Sequence, residues 1–407
     1  MNNKIYTLLL LSLLFTAGCK EDARIDLVDN SKPAPAALTE VTIKPILGGA
    51  ILKYQIPNDE NLLCIKAVYE IRPGKTYEAK SSIYVDSLVL RGFGSSNTTQ
   101  VEIYSVGKNG KESKPLLVDV TPDTPVVENV AGTISFRRAV GGVKFSYENK
   151  SKENLTYELV KEVPELNRWE TVRKFYSGLE KGDQTQRGLE AVETNFGLII
   201  SDRWGNFSDT IKSVMTPVFE EEVPKPWAHK EMKGDSWAAG RPDLTIDKMW
   251  DGRWDVWDNY LWASSGSTQF PQSFTIDLGH LVEITRIVEH QRLVETYKGT
   301  SVKRFDVFGT AKDNPNPDIN SEDWILLGEF ESYQPSGQTG SPTEEDIQYG
   351  SVEGENFEFV DEIGDPKPTP PIRYLRWRTW ETWNGQTEMG EVIIAELEVH
   401  GKILDKK

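Results

Sequence analysis

The sequence predicts an all-β chain, with two small sandwiches in tandem followed by one larger antiparallel β-sandwich. Three observations carry this. Short runs in which apolar and polar residues alternate recur along the chain and end on turn residues, as strands with one buried face require. The first half repeats itself with a period of about 93 to 95 residues. At 407 residues the chain is too long for a single sandwich, and length alone suggests about two to four domains.

The chain opens with a processing segment, residues 1–18. Lys4 supplies the positive start, Leu8 to Phe15 the apolar stretch, and Thr16-Ala17-Gly18 the small residues before Cys19. The segment resembles a bacterial lipoprotein signal, although Thr16 stands where such signals usually carry leucine. The resemblance implies that Cys19 is lipidated and becomes the mature N-terminus. Lys20-Glu21-Asp22 resembles the acidic export tag of cell-surface lipoproteins in glycan-degrading Gram-negative bacteria. Acyl chains contribute about 0.8 kcal/mol per buried methylene, enough together to anchor the chain without a spanning helix. Residues 19–37, with Pro33 and Pro35, then read as a lipidated N-terminus and spacer. Cys64 is the only other cysteine and sits in the apolar run Leu62-Leu63-Cys64-Ile65, where a buried, inert thiol is expected.

Next come the two repeat units, 38–122 and 125–218. Gly48-Gly49-Ala50-Ile51-Leu52-Lys53-Tyr54 answers to Gly141-Gly142-Val143-Lys144-Phe145-Ser146-Tyr147. Further on, the Lys108-Asn109-Gly110 turn answers to Arg203-Trp204-Gly205-Asn206, and the units close on Thr121-Pro122 and Thr216-Pro217. Tight hairpins need positive φ at their centre, which glycine and asparagine tolerate, so these glycines are structural. Each unit has the length of an immunoglobulin-like sandwich, and its closing hairpin resembles the last hairpin of fibronectin type III domains. The linker Thr121 to Pro125 separates the two units. A second, Val218 to Pro226, carries Glu220-Glu221-Glu222 and two prolines. Prolines stiffen a linker and acidic runs extend it, so the sandwiches are expected to act as a stalk.

The third unit, 227–403, alternates at Ser273 to Gly279, Lys303 to Gly309, Arg373 to Trp377 and Ala395 to Gly401. Asp251-Gly252, Trp262, Pro271 to Gly279, Arg292, Gly309-Thr310, Trp324 to Gly328, Arg373 to Arg376 and Glu396 to Gly401 follow in order. This succession resembles a discoidin-type (coagulation factor 5/8 type C) carbohydrate-binding module, a jelly-roll β-sandwich. The whole chain resembles multidomain surface lipoproteins of polysaccharide-utilisation systems, in which fibronectin-like domains precede a discoidin-like one.

Ten of the 12 tryptophans lie between Trp227 and Trp383, far more than one sandwich core needs. Sugars present C–H faces that stack on aromatic rings and hydroxyls that need directional partners. In discoidin-type modules the strand-connecting loops form the recognition edge, and two such loops are rich in aromatics. Trp254, Trp257 and Tyr260 lie in one, and Trp380, Trp383 and Asn384 in the other. Trp254, Trp257, Trp380 and Trp383 either face solvent or pack at a rim, whereas Trp262, Trp324 and Trp377 belong to the core. His290 and Arg292 end a strand and precede Tyr297; they either bind sugar groups through fixed donors or pair with Glu295 or Asp258 to hold the loops. The discoidin resemblance also implies a structural calcium between Asp251 and Glu396. A hard cation wants about six to eight oxygens, and Arg253 and Val256 occupy further positions where the family supplies ligands. No other cofactor is expected, and four histidines with no Cys-His spacing exclude a standard zinc site.

Charge and organisation narrow the function. A net charge of −17 without a basic cluster argues against a nucleic-acid partner. Every segment long enough to fold is assigned to a sandwich, so the chain is expected not to be an enzyme. The expected partners are a poly- or oligosaccharide and neighbouring outer-membrane uptake and glycan-degrading proteins. Contact with the membrane would be through the lipid anchor only. The reading is a non-catalytic, lipid-anchored outer-membrane protein that faces the cell exterior and captures polysaccharide. The alternative is a protein–protein scaffold of the same complex.

Overall fold

The computed structural model describes residues 28–254, 260–338 and 340–405; the segment expected to be a leader, Cys19 and Trp257 lie outside the described residues. Strands β1 (Val41–Ile46), β2 (Gly49–Tyr54), β3 (Leu62–Arg72), β4 (Lys75–Ser82), β5 (Ser87–Arg91), β6 (Thr99–Gly107) and β7 (Leu116–Val120) form the first sandwich. Its two antiparallel sheets are ordered β1-β2-β5 and β4-β3-β6-β7. Alternate residues of β3, among them Ile65, Ala67, Tyr69 and Ile71, enter the core. A bulge between Leu62 and Cys64 turns Cys64 to a half-buried position, where burial pushes its thiol pKa up.

The second sandwich repeats the first strand for strand. After a short helix α1 (Val126–Ala131) come β8 (Ser135–Ala139), β9 (Gly142–Glu148), β10 (Leu155–Val163), β11 (Arg168–Ser177), β12 (Lys181–Gln186), β13 (Thr194–Asp202) and β14 (Ile211–Met215). Their order, β12-β9-β8 and β11-β10-β13-β14, is the same topology. The paired glycines share one cause in both copies. Gly48 and Gly141 have φ of +58° and +62°, and a Cβ on Gly49 or Gly142 would collide with the carbonyl oxygen of Leu90 or Gln186 on the neighbouring strand.

Both linkers are part of the folded body rather than free tethers, contrary to the expectation of an extended stalk. Gly48 N–H donates to Thr124 O at 3.0 Å, and Asp123 N–H to Ile46 O at 3.2 Å. In the second linker, Glu221–Glu222 form β15 and pair with Gly401 and His400. Val223 enters the third core, and Glu220 pairs with Arg286 at 2.9 Å. The acidic run is consumed by pairing, which its composition does not reveal. The distal part of the expected spacer is tied down as well. Asn109 Nδ2 donates to Lys32 O at 2.9 Å, Asn61 Nδ2 to Pro33 O at 3.0 Å, and Leu38 is buried in the first core.

The third domain adds β16 (Ala228–His229), β17 (Trp262–Ala263), β18 (Gln272–His290), β19 (Val302–Thr310), β20 (Ile325–Glu331), β21 (Glu355–Glu358), β22 (Ile372–Thr382), β23 (Ile393–Ile394) and β24 (Glu396–Ile403). The long strand β18 is broken by a register shift between Asp277 and Val282. Its first half pairs with β22 and its second half with β24 and β21, so one strand serves two layers. Between them an aromatic stack fills the core: Phe305 lies 3.7 Å from Trp377 and 4.8 Å from Phe357, and Trp262 lies 5.1 Å from Phe274. Trp262, Trp324 and Trp377 are buried, as their positions predict. No helix among the described residues is long and apolar enough to cross a membrane.

Candidate functional site

Because β18 begins and finishes at the same end of the third domain, four connecting segments meet there: residues 240–271, 291–301, 332–354 and 383–395. Backbone bonds stitch them together. Trp383 N–H donates to Ser301 O at 3.0 Å, Asn384 N–H to Gly299 O at 2.8 Å, Gln291 N–H to Gly350 O at 2.9 Å and Ser264 N–H to Val392 O at 2.9 Å. Loops held this way present side chains in fixed positions.

Trp383 and Asn384 sit on the turn that follows β22. Trp383 is half-buried: its Nε1–H donates to Ser332 Oγ at 3.2 Å, and its ring meets Tyr297 edge-on at 5.2 Å. Asn384 is exposed, and its Oδ1 accepts from Thr382 Oγ1 at 2.7 Å, which fixes the amide. Nearby, Arg241, Arg292 and Glu391 line a cavity of about 160 Å³ walled by Leu244, Leu261 and Ile393. Arg292 Nη1 lies 3.3 Å from Glu295 Oε1, the ion pair foreseen for it, and its guanidinium also lines the cavity. Arg241 is held by Asp243, through Nε at 3.2 Å and Nη2 at 2.8 Å, so this end of the domain offers a ligand an indole and an amide, with both guanidinium groups fixed by carboxylates.

The other expected residues divide. Trp254 is half-buried on Leu244, Leu261 and Ala395, donates from Nε1 to Val352 O at 3.0 Å and covers His290 at 4.3 Å. His290 and Tyr297 are 1% and 3% exposed, so neither is a ligand contact; both support the loops from beneath. His290 Nδ1–H donates to Ser351 O at 3.0 Å, and Nε2 lies 3.4 Å from Glu398 Oε1. Tyr297 is held at φ +51°, a costly conformation for a bulky residue, with its N–H donating to Gln291 Oε1 at 2.7 Å. Tyr260 stacks on the Arg253 guanidinium at 4.2 Å. Trp380 stands apart on the outer sheet face, 36% exposed, with its Nε1–H donating to Asp306 Oδ2 at 2.9 Å.

Beneath the loops lies a polar network that the sequence did not announce. Glu289 and Glu355 are direct partners on β18 and β21, and both carboxyls are buried. Burial pushes Glu355 up to about 7, opposed by hydrogen bonds from Ser332, the Tyr333 N–H and Gln291. Glu289 is raised well above the usual carboxylate range by burial and then by the Glu355 charge. Ser332 Oγ donates to Glu355 Oε2 at 2.6 Å while accepting from Trp383, so the buried acid orients the indole through one hydroxyl. A lone Ser332 and Glu355 between loop residues carry no sequence pattern that would reveal this.

The residues expected to hold calcium do not fit it. Glu396 is buried, and its carboxylate accepts from Lys225 Nζ and, at 3.2 Å, from Gly252 N–H. Asp251 pairs with Lys248 at 3.4 Å. An ammonium therefore already neutralises the acid that a divalent ion would need. No group of three or more His, Cys, Asp or Glu converges among the described residues.

Three family models match the chain in succession, each described as a domain of unknown function: DUF4959 over residues 35–122, DUF5126 over 123–226 and DUF5000 over 250–401. Among solved structures, a SusE-like protein is 24% identical with a TM-score of 0.40, the match covering 69% of this chain and 100% of that one. The module CBM32-3 from a family 31 glycoside hydrolase of Clostridium perfringens is 16% identical with a TM-score of 0.29, covering 40% of this chain and 86% of that one. A two-domain fibronectin type III segment of chicken tenascin is 15% identical with a TM-score of 0.23, covering 44% and 98%. A comparison with curated proteins found no match.

Proposed function

We propose that this protein is a non-catalytic glycan-binding protein of the cell surface, anchored through Cys19, which captures polysaccharide at the loop end of its third domain for a neighbouring uptake and degradation system. The observation that carries the reading is the turn Trp383-Asn384. It sets a half-buried indole beside a fixed amide, and the segment it opens goes on to line the cavity of Arg241 and Arg292 with Glu391 and Ile393. The indole would stack on a sugar face while the amide and guanidinium groups take hydroxyls. A cavity of 160 Å³ is well below the roughly 300–1,000 Å³ of sites for larger ligands, which suits a single terminal ring. Binding at so open a site would be weak, in the micromolar to millimolar range, and strengthened by multivalency on a polymer.

The test is a glycan array followed by calorimetry on the mature chain. Trp383→Ala is expected to weaken binding by about 2 kcal/mol, roughly 30-fold, as loss of a central aromatic anchor does. Trp380→Ala, on the sheet face, is expected to leave it unchanged. Absence of saturable binding across a broad panel, or release of reducing ends from a bound glycan, would overturn the proposal.

A further inference from the structure

The second and third domains enclose a cleft of about 860 Å³. Asp183, Gln184, Thr185, Gln186 and Arg187 line one wall, and Tyr333, Gln348, Tyr349, Glu353 and Asn356 line the other. We propose that this cleft is a second glycan subsite, taking the middle of a neutral oligosaccharide whose end occupies the loop site. The proposal rests on the glycan-binding reading above and extends it.

Five consecutive residues on one wall cannot all present side chains from the same face of a strand, because successive side chains alternate. The strand therefore turns its edge to the cleft. β12 is indeed the outer strand of its sheet, so its unpaired backbone N–H and C=O groups point where a ligand would lie.

On the facing wall Tyr333 is 57% exposed. Its ring is steadied by Tyr349, 5.8 Å away between centroids, with the two hydroxyls 3.3 Å apart. Such a ring offers an apolar face to sugar C–H groups and a polar tip to their hydroxyls.

Charge selects the ligand class. The lining carries three cations, Lys144, Arg173 and Arg187, against four carboxylates, Asp183, Glu345, Glu353 and Glu358. Arg187 and Glu358 are already paired. A polyanionic chain would meet a carboxylate for every cation, whereas a neutral chain meets only donors and acceptors. A peptide adding to the edge of β12 would need apolar pockets for alternate side chains, and this lining is dominated by amides and charges.

The two walls are joined within the cleft by the Arg187–Glu358 pair, and beside it Arg137 Nη1 donates to Ile363 O at 2.6 Å and Glu220 pairs with Arg286 at 2.9 Å. Buried Ser332 accepts from the Trp383 indole at 3.2 Å and immediately precedes Tyr333, which brings the aromatic residue of the loop site close to that of the cleft.

Calorimetry on the mature chain with matched disaccharides and hexasaccharides of the cello-, manno-, xylo- and malto- series tests this. For a series that binds, the hexasaccharide is expected to bind about tenfold or more tighter than its disaccharide. Tyr333→Ala, which removes the platform, and Thr185→Trp, which fills the cleft, should each reduce that advantage to less than about threefold while disaccharide affinity stays unchanged. The unchanged disaccharide binding also reports that each variant is folded. If the advantage is absent in the wild type, or persists in both variants, the cleft proposal fails and the loop-site reading stands. If no saccharide binds the wild type, both fall. An extended peptide displaced by Thr185→Trp, with no oligosaccharide effect, would make the cleft a strand-addition site and overturn the glycan assignment.

Discussion

Replacing Glu355 by glutamine separates a buried charge from the hydrogen bonds that surround it. In the folded chain this carboxyl titrates near 7, against about 4.3 for a free glutamate. The folded state therefore holds a proton that the unfolded state has released between these values. Where the native state binds more protons, stability falls as pH rises. At about pH 8 both states are ionised, and the cost of the buried charge is present in full. A difference of two to three pKa units corresponds to roughly 3 kcal/mol at about 1.4 kcal/mol per unit. Glutamine carries no charge and keeps one acceptor oxygen, which can take the Tyr333 N–H, while its NH2 replaces the oxygen that Ser332 faces and can donate to that hydroxyl. Urea unfolding at about pH 5 and about pH 8, followed by tryptophan fluorescence, reads mainly the third domain, because ten of the 12 tryptophans lie between Trp227 and Trp383. The wild type should lose stability across this interval. Glu355→Gln should reduce the loss and be the more stable protein at the higher pH. Glu289 is raised in the same direction, so a slope of the same sign should survive in the variant. A wild-type midpoint that does not move with pH, or a variant less stable than wild type at the higher pH, would refute the reasoning.

Two other perturbations follow from buried contacts. Lys225→Met leaves the Glu396 carboxylate buried without its cation, and should cost about 3–5 kcal/mol, largely restored by adding Glu396→Gln; thermal unfolding measures both. In the wild type, EDTA should leave the unfolding midpoint unchanged, since Lys225 occupies the acid, and a midpoint raised by calcium would contradict this. Trp204→Ala empties the wedge between the first two sandwiches, where the indole lies 4.6 Å from the Tyr77 ring. Small-angle scattering should then report a larger radius of gyration, with faster proteolysis between Thr121 and Pro125; an unchanged profile would show that the indole does not hold the junction.

Local signals were enough for the architecture. Ser273 to Asp277 and Arg373 to Trp377 alternate because each strand has one face in a shared core, and the structure pairs these two runs directly. The repeat was legible because Gly49 and Gly142 meet the same obstacle, a neighbouring carbonyl, in both copies. What failed were inferences from composition. Glu220-Glu221-Glu222 reads as a solvated spacer until Arg286 and the edge of β24 are found beside it. Trp383, Asn384 and Arg292 stand out in the sequence because loop aromatics and donors contrast with the strands beside them, and the structure places all three at the loop end of the third domain. His290 and Tyr297 carry the same residue types, yet their burial depends on Trp254 and on the segment around Gly350, neither of which is near them in sequence.

The two repeats use the same hairpin turn for the same purpose. In the first sandwich the turn after β6 grips the chain that precedes the domain: Asn109 Nδ2 and Lys111 Nζ both donate to Lys32 O at 2.9 Å. In the second, the turn after β13 grips the first sandwich. Asn206 Nδ2 donates to Gly92 O at 3.1 Å, and Lys75 Nζ donates to Trp204 O at 3.1 Å. A Cβ on Gly92 would lie 2.7 Å from the Trp204 indole, so that glycine is part of the socket. The third domain is joined differently, by taking Glu221–Glu222 as an edge strand and Val223 as a core residue. Each unit is thus fixed to the one before it; Asn206 and Val223 are buried and the Glu220–Arg286 pair nearly so, and such contacts lose less to solvent screening than surface pairs do. The loop end proposed as the binding site, carried on such a body, keeps its orientation relative to the first sandwich. Linkers of the same composition left free would instead let it sample many orientations and weaken the gain from multivalent attachment to a polymer.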